Sequence, residues 1–370
     1  MGDVIQNTLY LTTPATFVAR DHLTLQVEVP VYPSELPPEE RTRKHATDWR
    51  KLSIPIHHLE AVCTFGPRIT LTAPVLDLCW EHGVSVNYLS EGGYLQARVT
   101  GVADTSVTLR RTQFRAADLP AKCAAVARQI IAGKIQNSRN SILRAARETE
   151  NAQEQSSLAA VTDTMARQLH ELGRLTASDL GREGALDALR GSEGLAGQQY
   201  FSVFRFFLKQ QRESFGFTTR SRRPPRDRIN CLLSFLYALV RNDCIAALTT
   251  VGLDPFVGFL HAERPNRPAL ALDLMEEFRA WIADRLAITL VNRRQIGAEH
   301  FREREGGAVE FTDAGRRLVI TAYQERKKET MQHPLLEQNL RIGQMPFIQA
   351  RILARHLRGD LQEYLPLVPK

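Results

Sequence analysis

The sequence predicts an α+β protein, an N-terminal β-sandwich-like domain over residues 1–115 followed by a larger all-α domain over 116–370. Two observations carry that expectation. Up to about residue 115, short apolar or β-branched runs are broken by Gly, Pro and Asp, the pattern of short strands joined by turns. From Leu119 onward, apolar residues recur at helical spacing instead. A chain of 370 residues is long enough for two such domains and a sizeable core.

The expected strands are 9–12, 23–29, 52–55, 61–65, 85–89, 95–99 and 107–109, each an apolar or β-branched run. One helix interrupts them, from Ala73 to a stop at Gly83. The stretch 32–51, with three prolines and mixed charges, reads as an inserted hairpin or loop. Pro120 suits a first helical position, and Cys123, Val126, Ile130, Ile131, Ile135, Ile142 and Leu143 follow at roughly helical intervals. Further helices are expected over 156–172, 193–208, 227–251, 270–294, 312–330 and 346–356, with Asp227 a candidate cap. Gly306-Gly307 marks a turn between two short strands. Tyr200, Phe204 and Phe207 share a helical face, which favours core packing over base stacking.

Composition narrows the function. Lys plus Arg number 48 against 41 Asp plus Glu, giving a net charge of +7. The pI near 9.3 favours nucleic acid over acidic protein partners. No apolar run approaches the length expected of a membrane span, and no signal-peptide pattern opens the chain. Five cysteines without CxxC spacing point to reduced, buried packing thiols and a cytoplasmic location.

The chemistry lies in a scattered set of metal-type ligands. Glu193 follows Gly191-Ser192, His261 follows Gly258-Phe259-Leu260, and Asp273, Glu276 and Glu277 cluster some 80 residues beyond Glu193. Two carboxylates and an imidazole suit Mn²⁺ or Mg²⁺, with the histidine tilting the choice toward Mn²⁺, and a basic protein offers such an ion a phosphodiester. Each piece alone has a plainer meaning: a helix-start Glu, a core or boundary His, a solvated Glu pair. About 100° per helical residue places Asp273 between Glu276 and Glu277, so all three are expected to border one cleft. Arg220, Arg222, Arg223, Arg226 and Arg228 put five guanidinium groups in nine residues around Pro224-Pro225, a phosphate clamp or, more plainly, a solvated loop. Arg293 and Arg294 are weaker candidates for contact with a DNA backbone, as are Arg351, Arg355 and Arg358.

In order, these motifs resemble the CRISPR-associated integrases of spacer acquisition, the "number one" Cas protein. The matching text is RGSEG at 190–194, RDRINCLLSFLYALVRND at 226–243, VGLDPFVGFLH at 251–261, RPALALDLMEEFRAWIADRLAITLVNRRQ at 267–295 and RHLRGD at 355–360. NTLYLTTP at 7–14 and IPIHHLEAVCTFG at 54–66 extend it to the N-terminal part, and the likeness is to the type I-C branch. The resemblance implies that Glu193, His261 and Glu276 hold the metal, with Asp273 an adjacent catalytic acid. Many members carry Asp where this chain has Glu276. It further implies DNA strand transfer by a 3′-hydroxyl into a CRISPR array, with double-stranded DNA as substrate and hydrolytic nicking as the same site using water. The implied assembly is a homodimer joined through the β domain, flanking a dimer of the "number two" Cas protein, with a "number four" Cas nuclease as a further partner. A metal-dependent repair nuclease acting on branched DNA and a non-catalytic DNA scaffold are the competing readings.

Overall fold

A computed structural model describes residues 8–33, 36, 40–66, 68–93, 95–99 and 107–369. The chain separates into two compact units, Met1–Asp104 and Thr105–Lys370. The break falls some ten residues before the position near 115 that sequence patterning suggested.

The first unit contains β1 (Thr8–Leu11), β2 (Phe17–Asp21), β3 (Thr24–Val31), β4 (Asp48–Pro55), β5 (Ala61–Phe65), β6 (Thr70–Leu71), α1 (Ala73–Glu81), β7 (Ser85–Leu89) and β8 (Leu95–Val99). They form two four-stranded sheets of order β1-β5-β7-β8 and β4-β3-β2-β6. Leu11, Val62 and Val86 from the first sheet, Val18, Leu25 and Val27 from the second, and Val75 and Leu78 from α1 make one buried cluster. The sandwich is not purely antiparallel, because β5 pairs parallel with both β1 and β7, and β2 with β6. Strands β2 and β6 had no separate signal in the sequence. The 32–51 stretch is the end of a long β3–β4 hairpin, paired from Thr24↔Pro55 to Val31↔Asp48; residues 34, 35 and 37–39 lie outside the described residues.

The second unit opens with α2 (Val107–Ala117), where a strand over 107–109 was expected. Leu109, Gln113 and Ala116 are buried at helical spacing, and Gln113 exchanges hydrogen bonds with the backbone of Asp254 and Val257. Tertiary contacts, not local propensity, decide this element. Then follow α3 (Pro120–Arg147), α4 (Ala152–Arg174), α5 (Ala177–Leu180), α6 (Ala185–Ser202), α7 (Arg228–Val251), α8 (Ala269–Met275), a π-helical turn (Arg279–Asp284) and α9 (Arg285–Asn292). Beyond them come the hairpin β9 (Phe301–Glu303) and β10 (Val309–Phe311), α10 (Asp313–Lys328), the hairpin β11 (Thr330–Gln332) and β12 (Asn339–Arg341), and α11 (Met345–Arg358).

Helix α7 forms the centre. Asp227 caps it by accepting the Asn230 amide at 2.7 Å, and Gly252, at φ 95°, ends it in the left-handed conformation open to glycine. Contrary to the expectation that no apolar run reaches membrane-spanning length, α7 is long and apolar enough to cross a membrane; 72 % of its apolar window is buried inside the unit, as in a core helix. All five cysteines are free and buried. Tyr200, Phe204 and Phe207 are buried against one another, as their spacing implied.

Candidate active site

Three separate helices supply the centre. Glu193 stands in the middle of α6, not at a helix start, because α6 begins at Ala185. Gly191, Gly194 and Gly197 weaken helix propensity there, and packing of α6 against α3 overrides them. Glu276 comes from the end of α8, and Lys134 reaches in from α3. The Lys134 ammonium binds Glu193 Oε1 and lies 2.7 Å from Glu276 Oε2. Arg279 donates from a single nitrogen to both oxygens of Glu276, at 2.8 and 3.1 Å. Burial alone would raise the Glu276 carboxyl, but Arg279, then Lys134 and His261, hold it well below the ordinary carboxylate range. Glu276 is ionised and only 2 % exposed.

The expected single helix over 270–294 is broken, and the break sorts its carboxylates. After Met275 the chain passes through a turn into the π-helical segment. Asp273, Glu276 and Glu277 therefore do not border one cleft. Asp273 is fully buried; it accepts the backbone amides of Phe259, Leu260 and His261 at 2.6, 3.0 and 2.9 Å, and His261 Nδ1 donates to it at 2.7 Å. Its carboxylate is a positioning group for the 259–261 segment. Gly258 permits the close approach, since a Cβ there would lie 2.8 Å from both the Ala269 backbone and Asp273 Oδ2. Arg190 fastens the same segment from α6, donating to the Leu260 carbonyl at 2.7 Å.

Glu277 faces the C-terminal segment. It accepts the Leu367 amide at 2.7 Å, the Gln349 amide nitrogen at 2.8 Å and the Tyr364 hydroxyl. Asn137 of α3 completes the strap by donating to the carbonyls of Glu277 and Leu367. Burial pushes the Glu277 carboxyl up to about 7, against the three hydrogen bonds that lower it. A carboxyl raised in the folded state contributes stability that is fully present below its unfolded value near 4.5 and is lost as pH rises through 7. The stability advantage of the wild type over Glu277→Gln is therefore expected to shrink between pH 5 and pH 8, by up to about 3 kcal/mol at 1.36 kcal/mol per unit. Urea unfolding of both proteins at the two pH values checks it; a constant gap contradicts it.

Glu193, Glu276, Lys134, Arg279, Arg220 and Arg222 line one cleft of about 410 Å³. Its far wall holds Asp284, to which Tyr237 and Tyr200 donate at 2.5 and 3.0 Å, and whose carboxyl burial pushes up to about 6. Arg279 and Arg220 both lie over the Tyr237 ring, at 4.3 and 5.3 Å from its centroid.

The arginine loop divides. Arg220 is engaged by Ser221, Asn230 and Ser234, and Arg228 by the Ser214 carbonyl. Both are internal struts, although Arg220 still borders the cleft. Arg222, Arg223 and Arg226 are exposed, and Arg222 lines the cleft. Arg293 and Arg294 are exposed beyond α9, with Arg294 donating to Gln210. Neither lines the cleft.

Among the described residues, no three His, Cys, Asp or Glu side chains meet at metal-binding spacing. Two of the expected ligands converge on the Lys134 ammonium, and His261 acts on Glu276 electrostatically without lining the cleft. Lys134 was missed in the sequence, yet it left a trace: a charge on the α3 stripe marked by Ile130, Ile131, Ile135 and Ile142.

An acidic pair set among Lys and Arg side chains in a basic protein has chemistry suited to a phosphodiester. The family model for CRISPR associated protein Cas1 matches residues 9–325. The "CRISPR-associated endonuclease Cas1 1" of Moorella thermoacetica is 45 % identical over 365 residues, covering 99 % of both chains. Two solved structures share the fold: a casposase bound to integration product, with TM-score 0.79, 20 % identity and 97 % and 93 % of the two chains covered, and a Cas6-RT-Cas1–Cas2 complex, with TM-score 0.74, 23 % identity and 100 % and 36 % covered. The chain belongs to the Cas1 family of CRISPR-associated endonucleases.

Proposed function

We propose that this Cas1 protein integrates short DNA fragments into a CRISPR array, the 3′-hydroxyl of the fragment attacking a phosphodiester held in the 410 Å³ cleft. The observation that carries the reading is the convergence of Glu193 and Glu276, from different helices, on one cation inside a cleft rimmed by arginine. The donor chemistry fits a divalent ion: two carboxylates already gather around a positive charge, and His261, with Nδ1 held by Asp273, keeps Nε2 as its available nitrogen. Glu193, Glu276 and His261 would hold Mn²⁺ or Mg²⁺, with the imidazole favouring Mn²⁺. Once bound, the ion supplies charge neutralisation to the phosphodiester oxygens. The chain's own residues do the rest: Asp273 orients His261, Arg279 keeps Glu276 ionised, and Arg222 meets the DNA backbone.

The type I-C branch, a homodimer through the first unit, a Cas2 dimer as partner and a Cas4 nuclease for trimming complete the proposal, with the cytoplasm as the place of action. The Cas1–Cas2 complex among the structural neighbours and the motif likeness support it. The test is incubation with Mn²⁺, a supercoiled repeat-bearing target and a fragment ending in either a 3′-hydroxyl or a 3′-deoxy end, with and without Cas2. Covalent joining that requires the 3′-hydroxyl is expected. Nicking of the target by both fragments without joining points to a repair nuclease instead.

The exposed arginines make a separate prediction. Replacing Arg222, Arg223 and Arg226 with Ala together should weaken duplex binding irrespective of sequence. Each lost phosphate contact should lower the log–log salt slope by about 0.9. Affinity across a salt series decides it, and an unchanged slope returns the loop to a solvated surface.

A further inference from the structure

Lys134 stands where two carboxylates converge, and among the described residues it is the only cation paired with Glu193, whereas Glu276 also has Arg279. Its side chain is 12 % exposed, with its helix locked in place around it. Gly133 lies against Pro366, so close that a Cβ would come within 2.6 Å of it, and Asn137 holds Glu277 and Leu367. The ammonium is therefore delivered by a rigid element, and it is not a stray surface lysine that happens to touch two acids. Without it, the Glu193 and Glu276 carboxylates would face each other with less compensation in a cleft partly shielded from water.

The same oxygens are the ones a divalent ion needs. An ammonium and a metal ion cannot both occupy the space between them, so one must leave before the other enters. We propose that Lys134 is a built-in counter-ion that competes with the divalent ion for Glu193 and Glu276, so that metal entry and release of the lysine into the cleft are one coupled event. The inference rests on the metal reading above and adds a control to it. In the metal-free protein the lysine bridges the two carboxylates and holds them together; in the loaded protein the displaced ammonium remains beside the bound DNA as a further positive charge. Occupancy of the site then tracks metal and DNA together, because phosphate gives the displaced lysine a new partner.

Binding of Mn²⁺ alone, measured by calorimetry on the full-length protein, provides the test. Lys134→Met keeps most of the length and the apolar stem of the side chain but removes its charge. It should bind Mn²⁺ about tenfold more tightly than wild type or better, the attraction at stake being substantial in a half-shielded site. Its metal-free melting temperature should fall below that of wild type, and saturating Mn²⁺ should close the gap. Lys134→Gln is the second variant and should shift both readouts in the same direction if Met folds poorly. Equal or weaker Mn²⁺ binding by a folded Lys134 variant overturns the proposal. Glu193→Gln separates the two ideas: weaker Mn²⁺ binding by this variant, with no tightening in Lys134→Met, removes the lysine's role and leaves the metal site standing. Unchanged binding in Glu193→Gln removes the metal reading, and the lysine proposal with it.

Discussion

Glu276→Gln is expected to lower Mn²⁺-dependent strand transfer by roughly 10²–10³-fold or more, the scale seen when one preorganised charge-stabilising group is removed from an active site. The amide keeps the shape of the side chain but cannot neutralise an ion, and it leaves Lys134 and Arg279 without the carboxylate that now joins them. Glu277→Gln, one residue away, should retain most activity at neutral pH, because its side chain faces Gln349, Tyr364 and Leu367 and not the cleft. Both variants should be assayed at matched protein and metal concentrations, with folding checked by circular dichroism. The opposite ranking would move the ligand to Glu277 and contradict the side-chain directions found here.

Asp273→Ala is expected to be the most destabilising single change near the site, costing about 3–5 kcal/mol. The carboxylate is fully buried and accepts three backbone amides and the His261 ring nitrogen; its removal strands those donors away from water. His261 also loses its orienting partner, a change that typically weakens a metal site by 10–100-fold. Asp273→Asn should fall between, since an amide oxygen can still accept while its NH₂ group opposes the surrounding donors. Urea unfolding gives the stability change. A loss under about 1 kcal/mol would mean that the 259–261 segment is held by other contacts, such as Arg190 to Leu260.

These two predictions concern carboxylates four residues apart or fewer, and they show where sequence reasoning stopped. A regular helix over 270–294 placed Asp273, Glu276 and Glu277 around one edge. The chain instead interrupts the helix after Met275 and resumes as a π-helical turn, so each carboxylate faces a different neighbour: a loop, the cleft and the C-terminal segment. Apolar periodicity cannot register such a break, because Leu274, Phe278 and Ile282 are buried on either side of it. The first strand-to-helix boundary was missed for a related reason. Val107 and Leu109 suit a strand locally, and only the burial of Gln113 against the backbone around Asp254 selects helix α2.

The sequence by itself determined the α+β order, most strands of the first unit, the long helices α3, α4, α7 and α10, the cap at Asp227, and the family, because these rest on local pattern and on ordered motifs. Tertiary structure alone decided which charges meet. Glu193, Glu276 and Lys134 lie far apart in the chain, and their contact depends on how α3, α6 and α8 pack, which no local spacing encodes. It also divided the five arginines of the 220–228 loop into struts and exposed charges, since a guanidinium is fixed by acceptors such as the Asn230 side chain and the Ser214 carbonyl that its neighbours in sequence do not reveal. Residue type sets what chemistry is available to a side chain; burial and partners, which only the packed chain supplies, set what that side chain does.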